Sequence, residues 1–195
     1  LSFVSVAELC EGGGWSGHAF RGRIAEVPDG NAKVVQLRDV DVYLGIQWDA
    51  LITTQLESKK EPRWLLPGDI LFAARGMRFI AVCVTQLPGH CVCSPHFIHL
   101  RLKPGLAVPA FIAWQINQAP FQTLLKKLAE GTESATIRVP EFKRMKLALP
   151  SLEKQKKLVE LFVLQQQERR VLEQLIDNGE QQMKAIAQAM MNNTC

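Results

Sequence analysis

Cys91, Cys93, His96 and His99 fall within nine residues, CVCSPHFIH, and are side chains that a zinc ion takes as ligands. Their spacing argues against a metal. Cys-x-Cys is tighter than the gap of about two to four residues found in structural zinc sites. Strand alternation would point both cysteines one way, while the turn at Pro95 sets the histidines separately. We read the group as half-buried strand residues and expect no metal. Asp29, Glu57 and Lys59 form the acid, acid and lysine set with which a Mg²⁺-dependent nuclease holds its ion and steadies the attacking water. Pro28-Asp29-Gly30 is equally the composition of a turn, so the nuclease stays an alternative. Gly12, Gly14 and Gly17 in GGGWSG match the GxGxxG spacing of a dinucleotide loop. That fingerprint needs a helix directly afterwards, and HAFRGRIAEVPDG is too rich in Gly and Pro to form one, so a flexible loop is expected. No Ser-His-Asp set, nucleophile elbow or P-loop is present, nor an Asn/Asp-Pro-Pro-Tyr/Phe segment for methyl transfer to amino groups. No catalytic residue is assigned.

What remains is a set of basic side chains in or beside loops: Arg21 and Arg23 after the glycine run, Arg38 in QLRDV, Lys59, Lys60 and Arg63 in a polar segment, and Arg75 and Arg78 around Gly76. Loop Lys and Arg can reach phosphates and base edges while strands hold their backbone in place. The best candidates for contact with double-stranded DNA are Arg38, Lys59, Lys60, Arg63, Arg75 and Arg78, mostly to phosphates, with at most one or two Arg reading guanine in the major groove. The charge balance permits this. Residues 1–150 hold 17 basic and 13 acidic side chains, whereas the remainder is balanced at six each, so the whole formal excess of +4 lies in the first part.

Those loops need a scaffold. Alternating apolar runs separated by turn signals predict strands over GRIAEV, AKVVQLRDV, GDILFAAR, RFIAVCVT and FIHLRL, and FVSVAEL reads as a short strand or entry segment. The period then changes, and AFIAWQINQAPFQTLLKKLAEG reads as a helix broken near Pro120 with Gly131 as C-cap. IRVPEFKRMKLALP returns to extended chain. From Ser151, an N-cap with Glu153 in the first turn, one helix runs to Met191. At about 1.5 Å per residue it reaches roughly 60 Å, too long to hide its apolar side on a domain of this size. The expectation is a mixed α+β domain over 1–150 followed by a long helix over 151–195.

Leu158, Leu161, Leu172, Leu175, Ile186 and Ala189 fit positions a and d of a heptad, interrupted by Gln165, Glu168, Gly179 and Gln182. Leu164, Val171 and Ile176 widen the stripe. Leu158, Leu161, Leu172, Leu175 and Ile186 are therefore the expected partner or dimer interface, because so large an apolar stripe seeks cover. No apolar run approaches the roughly 18 residues of a membrane span, and five cysteines without framework spacing suggest free thiols. A cytoplasmic setting is expected.

The order and spacing of GRIAEVP, VVQLRDV, WLLPGDILFAARG, SPHFIHLRLKPG, PAFIAWQINQAPFQTLLKKLAEGT and IRVPEFKRMKLALPSLEKQKKLVEL resemble the specificity (S) subunit of type I restriction-modification systems. The most specific parts are PGDILFAARG and the run from FIAWQIN to LPSLEKQ. The resemblance implies a DNA target-recognition domain followed by a conserved spacer helix, with no catalytic centre. It implies no cofactor here, because S-adenosylmethionine belongs to separate modification (methyltransferase) subunits, and it implies a restriction subunit joined through the complex. A full S subunit has two recognition domains and two such helices. One of each looks like a half subunit, either naturally so or as a fragment of a longer chain; for a natural half subunit we expect a homodimer through the terminal helix and a split DNA target. A nuclease or a protein-only coiled-coil adaptor are the alternatives.

Overall fold

A computed structural model describes residues 2–57, 61–76, 78–129 and 135–192. In chain order the elements are β1 (Ser2–Ser5), α1 (Val6–Leu9), β2 (Trp15–Ser16), β3 (Ala32–Val35), β4 (Val40–Asp41), β5 (Gly45–Ile46), β6 (Ile52–Thr54), β7 (Ile70–Ala73), β8 (Ala81–Cys83), β9 (Cys91–Cys93), β10 (Phe97–Leu100), α2 (Pro109–Ile116), α3 (Ala119–Leu128), α4 (Val139–Arg144), β11 (Lys146–Leu149) and α5 (Leu152–Asn192). The fold is mixed α+β with a long C-terminal helix. It divides into a compact unit through Val159 and a second unit from Glu160 onward. The first unit thus takes in the opening turns of α5.

Two larger sheets build the first unit, beside the two-stranded pairs β1-β11 and β4-β5. One has the order β2-β10-β7-β8 and is antiparallel; the other, β6-β3-β9, joins β3 to β9 in parallel. Strand alternation sends Ile70, Phe72, Ile98 and Leu100 to a core shared with α1, α2, α3 and α4. It sends Leu71, Ala73 and Phe97 the other way, onto Val35, Cys91 and Cys93 of the second sheet. The outer face of that second sheet, with Val34 and Val92, is covered by Phe20, Ile24 and Trp64. The helices, the first sheet and the second sheet therefore form three successive layers with an apolar core at each junction.

The hairpin β7–β8, the helix break before Pro120 and the terminal helix follow the sequence reading. FVSVAEL does not stay a strand, because Ser5 and Glu8 form a capping box that starts α1. GRIAEV is not a strand either; it is tied to β6 by Val27 N donating to Thr53 O and Thr54 Oγ1 donating to Ala25 O. The segment expected to be extended before β11 contains α4, with Pro140 in its first turn. Its Phe142 is fully buried and stacks on Phe72 at 4.1 Å between ring centroids. Burying such a ring contributes about 1.5–3 kcal/mol, enough to fold so short a helix against the sheet. The expected C-cap at Gly131 lies outside the described residues.

Gln155 anchors the first turns of α5. It is buried, its Oε1 accepts from Val108 N at 2.9 Å, and its Nε2 donates to Pro150 O at 2.9 Å. Ser151 O accepts from Gln155 N, so Ser151 holds the N-cap position. No helix among the described residues is long and apolar enough to cross a membrane.

Candidate nucleic-acid interface

Asp69 precedes β7 on the side that faces the second sheet, where a carboxylate needs partners. The register of β7 against β10, Ile70 opposite Leu100, continues outward to place Arg101 opposite Asp69. The pairing is bidentate: Arg101 Nε donates to Oδ1 at 2.8 Å and Arg101 Nη2 to Oδ2 at 2.8 Å. Leu66 N donates to Oδ2 at 2.7 Å, and His99 Nε2 lies 2.7 Å from the same oxygen. Burial pushes the Asp69 carboxyl up, but Arg101, His99 and the Leu66 amide together hold it below the ordinary carboxylate range. An ionised Asp69 accepts only, so His99 Nε2 carries the proton in this bond. Arg101 Nη2 also donates to Trp64 O at 3.0 Å. The result is a charged array closed inside the domain, linking two segments distant in sequence, 64–69 and 99–101.

The array continues outward through aromatic rings. Trp15 of β2 pairs opposite His99 and meets its ring edge-on at 5.7 Å between centroids. On Trp15 rests the guanidinium of Arg63, with Cζ 3.6 Å from the ring centroid. Arg63 lines an open cleft of about 920 Å³ together with His18, Phe20, Arg21, Arg23, Glu57 and Glu61.

The glycine run upstream is a steric requirement rather than a flexible loop. A Cβ on Gly17 would lie 2.0 Å from Ser94 O, and one on Gly14, at φ 85°, would lie 2.7 Å from a Leu100 methyl. These glycines let β2 and the following turn press onto β10 and β9, which sets Trp15 over His99. No helix follows to receive a pyrophosphate.

The other expected DNA contacts are placed differently. Arg38 is exposed on the turn after β3, with Nε 3.6 Å from Asp39 Oδ1; burial raises the Asp39 carboxyl despite the Gln36 amide and Arg38. Arg75 is exposed just beyond β7, where it bridges to Thr136, and Arg78 is exposed in the same β7–β8 loop. Ser94 N donates to Val35 O and Ala74 N donates to His96 O. The β3 and β7 chains therefore emerge at the end where residues 94–96 cross from one sheet to the other. Arg38, Arg75 and Arg78 share that end, whereas Arg63 is tied to the Asp69 end. Asp69 and Arg75 lie six residues apart along one strand, about 20 Å at the usual rise. Lys59 and Lys60 lie outside the described residues.

No group of three metal-ligating side chains occurs among the described residues. Cys91 and Cys93 are buried in β9, and desolvation pushes their thiols up to about 11 and about 12. Asp29 lies in an exposed turn, and Lys59 of the nuclease alternative lies outside the described residues.

On α5, Leu158 is half-buried against the helical core of its own unit, together with Val159. Leu161, Leu172, Leu175 and Ile186, the other expected interface residues, are exposed, as are Leu164, Val171 and Ile176. At 100° per residue these seven side chains share one face of the helix.

No family model and no curated protein matches the sequence. Solved structures do. The backbone matches the type I restriction-modification system S subunit from M. genitalium with a TM-score of 0.59 at 12% identity, over 92% of this chain and 42% of that one. The chain has the fold of a type I S subunit. A second match is to the HsdS subunit from Thermoanaerobacter tengcongensis, with a TM-score of 0.60 and 19% identity over 87% of this chain and 43% of the other. A third comes from a structural study of complex assembly and conformational transition in the type I R-M system, at TM-score 0.62 and 18% identity, again over 87% and 43%. This S-fold chain therefore spans less than half the length of the solved chains it matches.

Sequence reasoning singled out Arg63 but missed what holds it. Trp15, His99, Asp69 and Arg101 gave one readable signal: an acid and a base flanking two neighbouring apolar runs, GDILFAA and FIHLR, at positions that face each other if the runs pair antiparallel.

Proposed function

We propose that this chain is the DNA-recognition component of a type I restriction-modification complex and itself carries no catalytic centre. It directs modification subunits, which bring S-adenosylmethionine, and through the complex a restriction subunit, to a split DNA target. The observation that carries this reading is the S-subunit fold recurring over 87–92% of the chain, a coverage that cannot be reached without part of the 41-residue α5. The compact unit supplies the recognition surface, with Arg63 over the cleft and Arg38, Arg75 and Arg78 at the far end of the sheets.

Helix α5 supplies the assembly surface. Leu161, Leu164, Leu172, Leu175, Ile176 and Ile186 each keep more than half of their surface exposed in the single chain. Covering each contributes about 1.5–3 kcal/mol. The occupant we assign is the same helix of a second copy, since two-fold pairing is the commonest closure. Two identical recognition units read a palindromic sequence interrupted by unread base pairs. A helix of roughly 60 Å exceeds one turn of DNA, about 34 Å.

The test is to isolate the chain from its host with whatever it assembles with and measure binding to duplex DNA at increasing salt. Six or more phosphate contacts give an affinity that falls by about 10³-fold or more between 50 and 200 mM salt. Assembly without any DNA affinity would favour the protein-only adaptor, and Mg²⁺-dependent cutting by the chain alone would favour the nuclease.

A further inference from the structure

We propose that Arg63 is the base-reading arginine of this domain, recognising a guanine edge, and that Trp15, set in place by the buried Asp69, His99 and Arg101, is its positioning residue. The inference rests on the DNA-recognition reading above and adds to it which side chain reads, which base it reads, and how it is aimed.

Among the described residues Arg63 forms the one cation–π pair. A guanidinium lying on an indole has its face occupied and its edge free, and the edge carries the N–H fork that fits guanine O6 and N7. The ring beneath it is not free to wander. Trp15 is held from below by His99 at 5.7 Å, His99 by Asp69 at 2.7 Å, and Asp69 by both nitrogens of an Arg101 fork. Exposure falls from exposed Arg63 through half-buried Trp15 to His99 and Asp69, each 1% exposed. The array makes no contact that a simple structural ion pair would require at Trp15. Its outermost member is a side chain aimed at solvent.

The surroundings favour a base over a phosphate. Glu57 and Glu61 line the same cleft as Arg21, Arg23 and Arg63. Carboxylates repel a phosphodiester backbone but accept hydrogen bonds from cytosine N4. Arginine and glutamate side by side offer both donors and acceptors, the pattern that base edges present in the major groove. Arg75 and Arg78, in contrast, are exposed on a loop with no aromatic platform among the described residues, and suit phosphates, which need charge without fixed orientation.

The test uses the native assembly in its host, reading the sites of base modification across the genome. The wild-type gene is replaced by Arg63→Lys, Trp15→Leu, Trp15→Phe or Arg75→Lys, and a gene deletion is included. If the inference holds, Arg63→Lys and Trp15→Leu relax one G·C position of the target, with discrimination there falling about 5- to 150-fold, the worth of a bidentate pair. Trp15→Phe, which keeps an aromatic face, retains most of it, and Arg75→Lys, at a phosphate contact, lowers modification evenly across sites without relaxing any position. A target unaltered in Arg63→Lys while deletion removes modification would overturn the inference and leave the DNA-recognition reading standing. No change on deletion would sink that reading itself. Should Trp15→Leu lower the amount of protein, Arg63→Lys, an exposed substitution, still decides. Uniform loss of modification at all sites in Arg63→Lys, with no relaxed position, would also overturn it by making Arg63 a backbone contact.

Discussion

Replacing Asp69 by Asn keeps the volume of the side chain and removes its charge. The carboxylate accepts four hydrogen bonds: two from Arg101, one from His99 and one from Leu66 N, all between 2.7 and 2.8 Å. The amide retains one acceptor and turns an NH₂ group toward the Arg101 fork, so donors face donors. Breaking a buried ion pair by removing one partner costs about 3–5 kcal/mol. The Arg101 side chain keeps 26% of its surface exposed, so water relieves part of the cost and the lower end, about 3 kcal/mol, is expected. At roughly 2–4 °C per kcal/mol for a domain of this size, the melting temperature falls by about 6–12 °C. Intrinsic fluorescence in a urea titration reads this cleanly, because Trp15, Trp48, Trp64 and Trp114 all lie in the first unit. The midpoint shifts with an unchanged slope. The pH dependence has a definite sign. A folded-state pKa held below the unfolded value of about 3.9 gives stability that is fully present above that value. It is lost as pH falls through the folded pKa, so wild type and Asp69→Asn converge only in acid below about pH 4. A difference under about 1 kcal/mol at pH 7, or one undiminished in strong acid, would refute the reasoning.

Gln155→Ala leaves Val108 N–H and Pro150 C=O without their partner. It destabilises the first unit by about 2–4 kcal/mol, seen as a lower urea midpoint, and Gln155→Glu, which turns an acceptor toward Pro150 O, does not restore it. Cys10, Cys83 and Cys91 are pushed up to about 11 and Cys93 to about 12 by burial. The folded state thus holds protons that the unfolded chain releases above its ordinary thiol pKa of about 8.5. The thiol contribution to stability is flat below that pH and falls as pH rises toward 11, and a Cys91→Ala, Cys93→Ala double variant shows a shallower fall in the same titration. Leu172→Lys with Leu175→Lys places charge in the exposed α5 stripe and abolishes self-association in sedimentation velocity, while tryptophan fluorescence of the first unit stays native. Retention of the same oligomer would mean that another surface pairs.

The features that were legible in the sequence share a local cause. Ser151 and the long stripe after it announce α5, and Gly76 between two apolar runs announces the β7–β8 hairpin. What escaped reading depended on distant partners. Phe142 folds α4 because Phe72, seventy residues earlier, offers a ring to stack on. GRIAEV has strand composition, yet Phe20 and Ile24 cover the outer face of the second sheet and the backbone follows them. The Ser5–Glu8 box was a readable start signal inside an apolar run that alternation alone made look extended. The same holds for the candidate site. Arg63, in a polar loop, is the kind of residue that sequence composition flags, but its platform comes from Trp15, in a segment whose glycines first suggest a nucleotide loop. The reason for those glycines is visible only once β2 lies against β10, where any Cβ at Gly17 would collide with Ser94 O.

The central claim is that this chain chooses where a modification complex acts on DNA. Comparing base modification across the host genome with and without the gene tests it most directly. The account predicts that deletion erases one class of modified site, and that those sites share two short specified blocks, inverted repeats of each other, separated by a fixed number of unspecified base pairs. An unchanged genome, or a single continuous target, would contradict it.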